Sequence, residues 1–326
     1  MSTKRFKVRH ASEAFEEAKP IDWIVNPLFS AGSVSILHGG CVGKTFSLLD
    51  CCTCVATGKH WLDFETTKGG ALIVDWQSGA RRLHRRMGDS LRGHNAGKDT
   101  PIAYITFPDI NLRSNQGMHT LLDVVKQNNF KFIVLDSLLD ALFNKASFEE
   151  YRRRHDHSLE NATNRLFRLL RYIATVTDSA IVCTHYSDAT HWLYDKAGAY
   201  REFTAIDTAS TNSAVNLILE CERYEFRIEK LDLSPKTLSP LKRAGITSVT
   251  EVLDHMARGD EAMMSIKGFG VGSLSELKHK VESNTIRGHN ILFKVTKACD
   301  IAKFSFNAEL HINPGEYTVL VPTQAI

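Results

Sequence analysis

The stretch Ser35-Ile36-Leu37-His38-Gly39-Gly40-Cys41-Val42-Gly43-Lys44-Thr45 decides the fold. An apolar run, Ser33 to Leu37, ends in glycines, a Gly-Lys-Thr triplet follows, and Phe46 to Ala56 reads as a buried helix. In that strand–turn–helix order, backbone N–H groups wrap a phosphate and a helix N-terminus points at it. The ammonium of Lys44 would neutralise outer phosphates, and the Thr45 hydroxyl would reach a magnesium ion. The strict spacing is G-x-x-x-x-G-K-S/T, and counting back from Gly43 lands on His38 rather than glycine. Two readings stay open: His38 replaces the first glycine, or the loop is one residue short and Gly39 takes that place.

Working outward, short β-rich runs alternate with helical stretches. Ala71 to Val74, Ile102 to Phe107, Phe132 to Leu135 and Ala180 to Cys183 read as strands. Helices are expected over Arg81 to Leu91, Met118 to Asn128 and Leu159 to Thr175. Strands alternating with helices predict an α/β fold, a mostly parallel sheet covered on both faces. The strand Phe132-Ile133-Val134-Leu135 ends in Asp136, as a magnesium-holding carboxylate would.

Length and composition bound the rest. At 326 residues the chain predicts one large domain and one small one. With 43% apolar and 24% charged residues, disordered and fibrous classes are excluded. A net charge of +3 permits a nucleic-acid partner without arguing for one. No apolar run approaches the roughly 18 to 20 residues that span a bilayer, and the basic N-terminus lacks the apolar core of a secretory signal. A cytoplasmic protein is expected. The seven cysteines fit neither a disulfide framework nor a paired zinc motif, and read as small buried side chains. Prolines and serines between Leu233 and Pro240 suggest a linker. The expected parts are a polar segment 1–18, a nucleotide-binding domain 19–232, a helical module 233–285 and a short β-rich segment 286–326. Ile291 to Val295 and Tyr317 to Val321 are the best strand candidates in the last.

Several stretches in order carry a family resemblance: Lys19-Pro20-Ile21-Asp22-Trp23-Ile24, Ala31 to Leu37, Ala56-Thr57-Gly58-Lys59-His60-Trp61-Leu62, Val74-Asp75-Trp76-Gln77-Ser78-Gly79, Asp136-Ser137-Leu138 and Thr184-His185-Tyr186. Residues 19 to 230 resemble RecA-like P-loop ATPases related to the plasmid replicative helicase RepA. The resemblance implies a RecA-like core, ATP with Mg2+, assembly of copies into a ring or filament, and action on DNA. It places nucleotide on Gly39, Gly40, Cys41, Val42, Gly43, Lys44 and Thr45, and metal on Thr45 and Asp136. Catalytic roles fall to Lys44, Gln77, Asp136, His185 and Arg201.

Departures from the family pattern are informative. Gln77 stands where the family has a water-activating glutamate, and an amide orients water without acting as a base, which implies slow hydrolysis. Arg201-Glu202-Phe203-Thr204-Ala205 replaces a loop of small residues, with Arg201 kept as a candidate arginine finger. A catalytically degenerate scaffold is the alternative these changes raise. In Arg152-Arg153-Arg154-His155-Asp156-His157, the flanking Glu149, Glu150 and Asp156 favour a solvated helix face over a DNA contact.

Beyond residue 235, Thr237 to Val249 followed by Ser265-Ile266-Lys267-Gly268-Phe269-Gly270-Val271-Gly272-Ser273-Leu274 resembles the C-terminal domain of the bacterial RNA polymerase alpha subunit, a helix-hairpin-helix relative. The resemblance implies DNA phosphate contacts at Lys267, Gly268, Gly270, Gly272, Ser273 and Lys278, where glycines allow close approach. Docking to a protein partner is the other reading of such a module.

Overall fold

The computed structural model describes residues 10–17, 20–39, 44–106, 108, 110–142, 158–185, 191–194, 200–203, 212–223, 227–283, 288–299, 305–312 and 318–322. In chain order the first half contains β1 (Trp23–Asn26), β2 (Phe29–Ser30), β3 (Ser33–His38), α1 (Lys44–Thr57), β4 (Glu65–Thr66), β5 (Gly70–Asp75), α2 (Ala80–Gly93), β6 (Ile102–Thr106), α3 (Asn115–Asn128), β7 (Phe130–Asp136) and α4 (Leu138–Leu142). Then come α5 (Ser158–Thr177), β8 (Ala180–His185), β9 (His191–Tyr194), β10 (Tyr200–Phe203) and β11 (Leu217–Arg223). A helical block follows: α6 (Pro235–Arg243), α7 (Val249–Ala257), α8 (Asp260–Met264) and α9 (Val271–Ser283). The last elements are β12 (Gly288–Ala298), β13 (Ser305–Ile312) and β14 (Thr318–Pro322).

Nine strands form one sheet in the order β14-β13-β12-β11-β3-β8-β7-β5-β6. From β11 to β6 every neighbour is parallel, which the alternation of strands and helices predicts. Such strands are covered on both faces, so β3 is buried at every position from Ser33 to His38. Successive side chains divide between the two faces, as the strand period demands. Ile73, Phe132 and Val134 join the cluster that contains α1, whereas Leu72, Val74, Ile133 and Leu135 join the cluster packed by α3 and α5.

Helix α1 is buried at every position from Ser47 to Ala56, and Cys51, Cys52 and Cys54 are free thiols inside it. Burial raises the pKa of all three, and pushes Cys183 up to about 12. These thiols are buried, as expected. Cys221 is the correction, because it is disulfide-bonded.

One further expectation changes. Residues 233–240 are not a linker: α6 starts at Pro235, whose missing N–H costs nothing in a first helical turn. Glu276 of α9 fastens that start, accepting from the Ser234 N–H at 2.6 Å, the Ser234 hydroxyl at 2.7 Å and the Thr237 hydroxyl at 2.5 Å. The Thr237 hydroxyl, then the Ser234 groups, hold the Glu276 carboxyl below its ordinary range. Leu231, Leu241, Val252, Met263 and Leu277 form the buried centre of this helical block.

The expected C-terminal strands are present and join the main sheet. β12 pairs antiparallel with β11 and extends the main sheet through β13 and β14. Phe293 of β12 is fully buried, its ring 6.1 Å from that of Trp61, which also neighbours Phe29 and Phe64. Phe293→Ala should therefore lower the stability of the nucleotide-binding core by about 3 kcal/mol. Urea denaturation followed by Trp61 fluorescence measures it; an unchanged midpoint would show that the added strands contribute nothing there.

Candidate nucleotide-binding site

In an open parallel sheet, ligands bind beyond the carboxyl ends of the strands. Register brings the ends of four strands level here: His38 lies beside His185, and Asp75 beside Asp136. α1 begins at Lys44, so the chain turns from β3 into this helix over the same edge. Gly40, Cys41, Val42 and Gly43 lie outside the described residues. Gly39 sits at the start of the turn with φ +128°, and a Cβ there would fall 1.9 Å from the Cys221 carbonyl oxygen. Backbone geometry therefore demands glycine at 39, while His38 remains the last residue of the strand.

Three side chains converge on Asp136. The Thr45 hydroxyl donates to Oδ2 at 2.7 Å and the Thr184 hydroxyl to Oδ1 at 2.5 Å. Lys44, 1% exposed, donates to the Gly39 carbonyl at the head of α1. Burial raises the Asp136 pKa; the Thr184 and Thr45 hydrogen bonds oppose this, nearby Asp75 adds to it, and Lys44 opposes it. A buried hydroxyl and carboxylate at hydrogen-bond distance are the hard oxygen donors that Mg2+ takes. The adjacent ammonium is the charge a polyphosphate needs, so the residues fit Mg2+–ATP.

Asp75 is equally buried and shapes the next turn. Its Oδ1 accepts from the backbone N–H groups of Gln77 and Ser78, each at 2.9 Å. That turn brings Gln77 to Ser137, the residue after Asp136. The Gln77 amide Nε2 donates to Ser137 Oγ at 3.1 Å and to Asp140 Oδ2 at 2.7 Å, and Ser137 Oγ donates to the same Asp140 oxygen at 2.5 Å. Arg86 stacks over Phe46 with 4.5 Å to the ring centroid, pinning α2 to the first turn of α1.

Lys44, Thr45, Asp136 and Gln77 are thus brought together, and His185 ends β8 at the same edge, 1% exposed. Arg201 is placed differently from the loop expected of it: Tyr200–Phe203 is a strand, with Arg201 opposite Leu193 of β9. Thr204, Ala205 and the arginines 152–154 lie outside the described residues. Sequence reasoning missed Asp75, Thr184 and Asp140. Asp75 had a readable signal, since it ends an apolar strand as Asp136 does.

In the helical block, Lys267, Gly268, Gly270 and Gly272 are exposed, and Gly268 has φ +87°. The space beyond Gly270 and Gly272 is open. Ser273 is buried, and the Lys278 ammonium pairs with Asp260 at 2.7 Å.

A buried Lys-Thr-Asp constellation at the carboxyl edge of a parallel sheet defines a P-loop ATPase domain. The chain belongs to the AAA domain family AAA_25, whose model matches residues 2–188. A second model, the C-terminal domain of the bacterial RNA polymerase alpha chain, matches residues 219–283. The DNA-directed RNA polymerase subunit alpha of Dehalococcoides mccartyi is 39% identical over 62 residues, 19% of this chain and 18% of that subunit. That of Roseiflexus castenholzii is 36% identical over 75 residues, 23% of this chain and 22% of the subunit. That of Staphylococcus aureus strain Newman is 45% identical over 58 residues, 18% of each chain. The chain therefore spans less than a quarter of the length of these curated relatives. No helix among the described residues is long and apolar enough to cross a membrane.

The raised Asp136 pKa fixes a sign. A carboxyl that holds its proton more tightly when folded costs stability once ionised, and the cost grows as pH rises above the unfolded value of 3.8. Asp136→Asn should raise Tm at pH 7 while abolishing magnesium-dependent nucleotide binding, and the gain should shrink as pH falls towards 3.8. Thermal scans over that range test it; a gain independent of pH would be the wrong sign for this origin.

Proposed function

We propose that this chain is a magnesium-dependent, helicase-like ATPase that acts on DNA with slow turnover. The observation that carries the reading is the buried contact of Thr45 with Asp136 beside Lys44, with Gln77 held next to it. Mg2+–ATP supplies the phosphoanhydride bond to be cleaved. Lys44 binds phosphate charge, and Thr45 with Asp136 would hold the metal. Assembly into a ring or filament, with Arg201 reaching a neighbouring subunit, belongs to the same proposal.

Hydrogen bonding sets what Gln77 can do. An ionised Asp140 only accepts, so the Gln77 NH2 faces Asp140 and Ser137 and its Oε1 faces away. That leaves the amide oxygen to orient an attacking water. Without a carboxylate to take the proton, hydrolysis is slow. The amide and Asp140 are matched: a glutamate at 77 would meet the Asp140 charge.

The helical block provides the DNA contact in this reading. Its support is the likeness to the alpha-subunit domain and the exposed Lys267, Gly268, Gly270 and Gly272. The competing reading, a nucleotide-gated scaffold that binds without unwinding, is favoured by Gln77, by the irregular spacing before Gly43 and by Glu202-Phe203 in place of small residues.

Magnesium-ATP should raise the Tm of the wild-type chain and leave Lys44→Ala unmoved; equal shifts in both would sink the nucleotide site. DNA should stimulate phosphate release, and its failure to do so with ATP bound would leave the scaffold. Gly270→Glu should weaken DNA binding about tenfold through phosphate repulsion; unchanged affinity would assign the module to protein docking.

A separate prediction concerns turnover. Gln77→Glu should not accelerate hydrolysis, whereas Gln77→Glu with Asp140→Asn should, by about tenfold or more, because the asparagine can donate to the new carboxylate. Equal rates for the single and double variants would show that Asp140 does not position residue 77.

A further inference from the structure

Away from the nucleotide site, α1 and α2 bring three unlike donor atoms to one point. Asp50 and Cys54 are four residues apart on α1 and so share a face. His94 is the residue that closes α2. Its Nε2 lies 2.7 Å from Asp50 Oδ1 and 3.8 Å from Cys54 Sγ, and one donor atom from each residue lies within 4.8 Å of the others. Asp50 and Cys54 are buried, and the His94 side chain is 13% exposed.

The backbone under His94 is fixed. Its N–H donates to the Ser90 carbonyl at 3.1 Å, and the Lys59 ammonium holds its own carbonyl. The imidazole is therefore presented to α1 by a closed helix end.

We propose that Asp50, Cys54 and His94 form a zinc site that ties α1 to α2. The donor set selects the ion. Thiolate sulfur is poorly suited to Mg2+ and Ca2+, while zinc takes S, N and O together without a geometric demand from its d electrons. Zinc–ligand lengths of about 2.3 Å to sulfur and 2.0 Å to nitrogen put S and N about 3.5 Å apart in a tetrahedral site. The observed 3.8 Å is close to that. The Asp50–His94 pair would open by about half an ångström. Charge also balances. On ligation the Cys54 thiol gives its proton to solvent, and Zn2+ with one thiolate, one carboxylate and a neutral imidazole makes a neutral group, which suits burial. The slight exposure at His94 leaves the fourth position to water.

The site would join the helix that starts with Lys44 and Thr45 to the helix that follows Gln77. It stands on its own geometry and does not depend on ATP turnover.

The test uses the full chain purified without chelator. Elemental analysis should find about one zinc per chain, and replacement by Co2+ should give a thiolate-to-cobalt charge-transfer band. Cys54→Ser should abolish that band and cut zinc affinity at least about tenfold, while Cys299→Ser, which removes an exposed thiol, should keep both. Added zinc should raise the Tm of wild type but not of Cys54→Ser or His94→Ala. Equal zinc content and equal Tm shifts in wild type and Cys54→Ser would overturn the site and leave the three residues as a hydrogen-bonded contact. Cys54→Ser is nearly isosteric, so the comparison survives if His94→Ala fails to fold.

Discussion

Asp136 is shielded from water almost completely, and a buried charge is costly unless hydrogen bonds and cations offset it. Thr45 and Thr184 bind one oxygen each, and Lys44 lies near enough to oppose the cost of burial. These partners come from α1 and β8, while Asp136 itself ends β7. The carboxylate thus fixes the start of α1 relative to β7 and β8. The turn after β5 is set in a parallel manner, by backbone N–H groups gathered on Asp75. Two buried acids, side by side in register, therefore fix the start of α1 and the turn after β5. A cation held by Asp136 would offset the cost of burying its charge.

The core was legible in the sequence because parallel strands buried on both faces appear as unbroken apolar runs. Ser33 to Leu37 and Phe132 to Asp136 could be read for this reason, and the fold class followed from their alternation with helices. Pairings between distant segments left no such trace. The antiparallel addition of β12 to β11 depends on contacts across the helical block, and strand runs such as Ile291 to Val295 do not declare their neighbour. The turn-like composition near Pro235 misled for a different reason. Proline starts a helix as readily as it interrupts one, and the Glu276 carboxylate that settles the matter lies far along the chain.

At the site, the residues found first were those whose chemistry is written in a local motif. Lys44, Thr45 and Asp136 each follow or end a strand in a recognisable way. Asp140 was hidden because its role depends on one helical turn folding it back towards Gln77. Nothing at position 77 alone tells whether an amide is a defect or half of a matched pair. The neighbouring carboxylate supplies that information, since it dictates which end of the amide faces outward. Arg201 shows the opposite case, a motif-like arginine whose backbone lies in a two-stranded ribbon.

The helical block has a mechanical setting of its own. It enters the chain between β11 and β12, two strands paired so that Arg223 faces Ile291. The block thus enters and leaves the chain between two paired strands of one sheet. β11 is hydrogen-bonded on its other side to β3, the strand that leads to Gly39. A load applied to the block would therefore pass, through β11, to the strand that leads to Gly39.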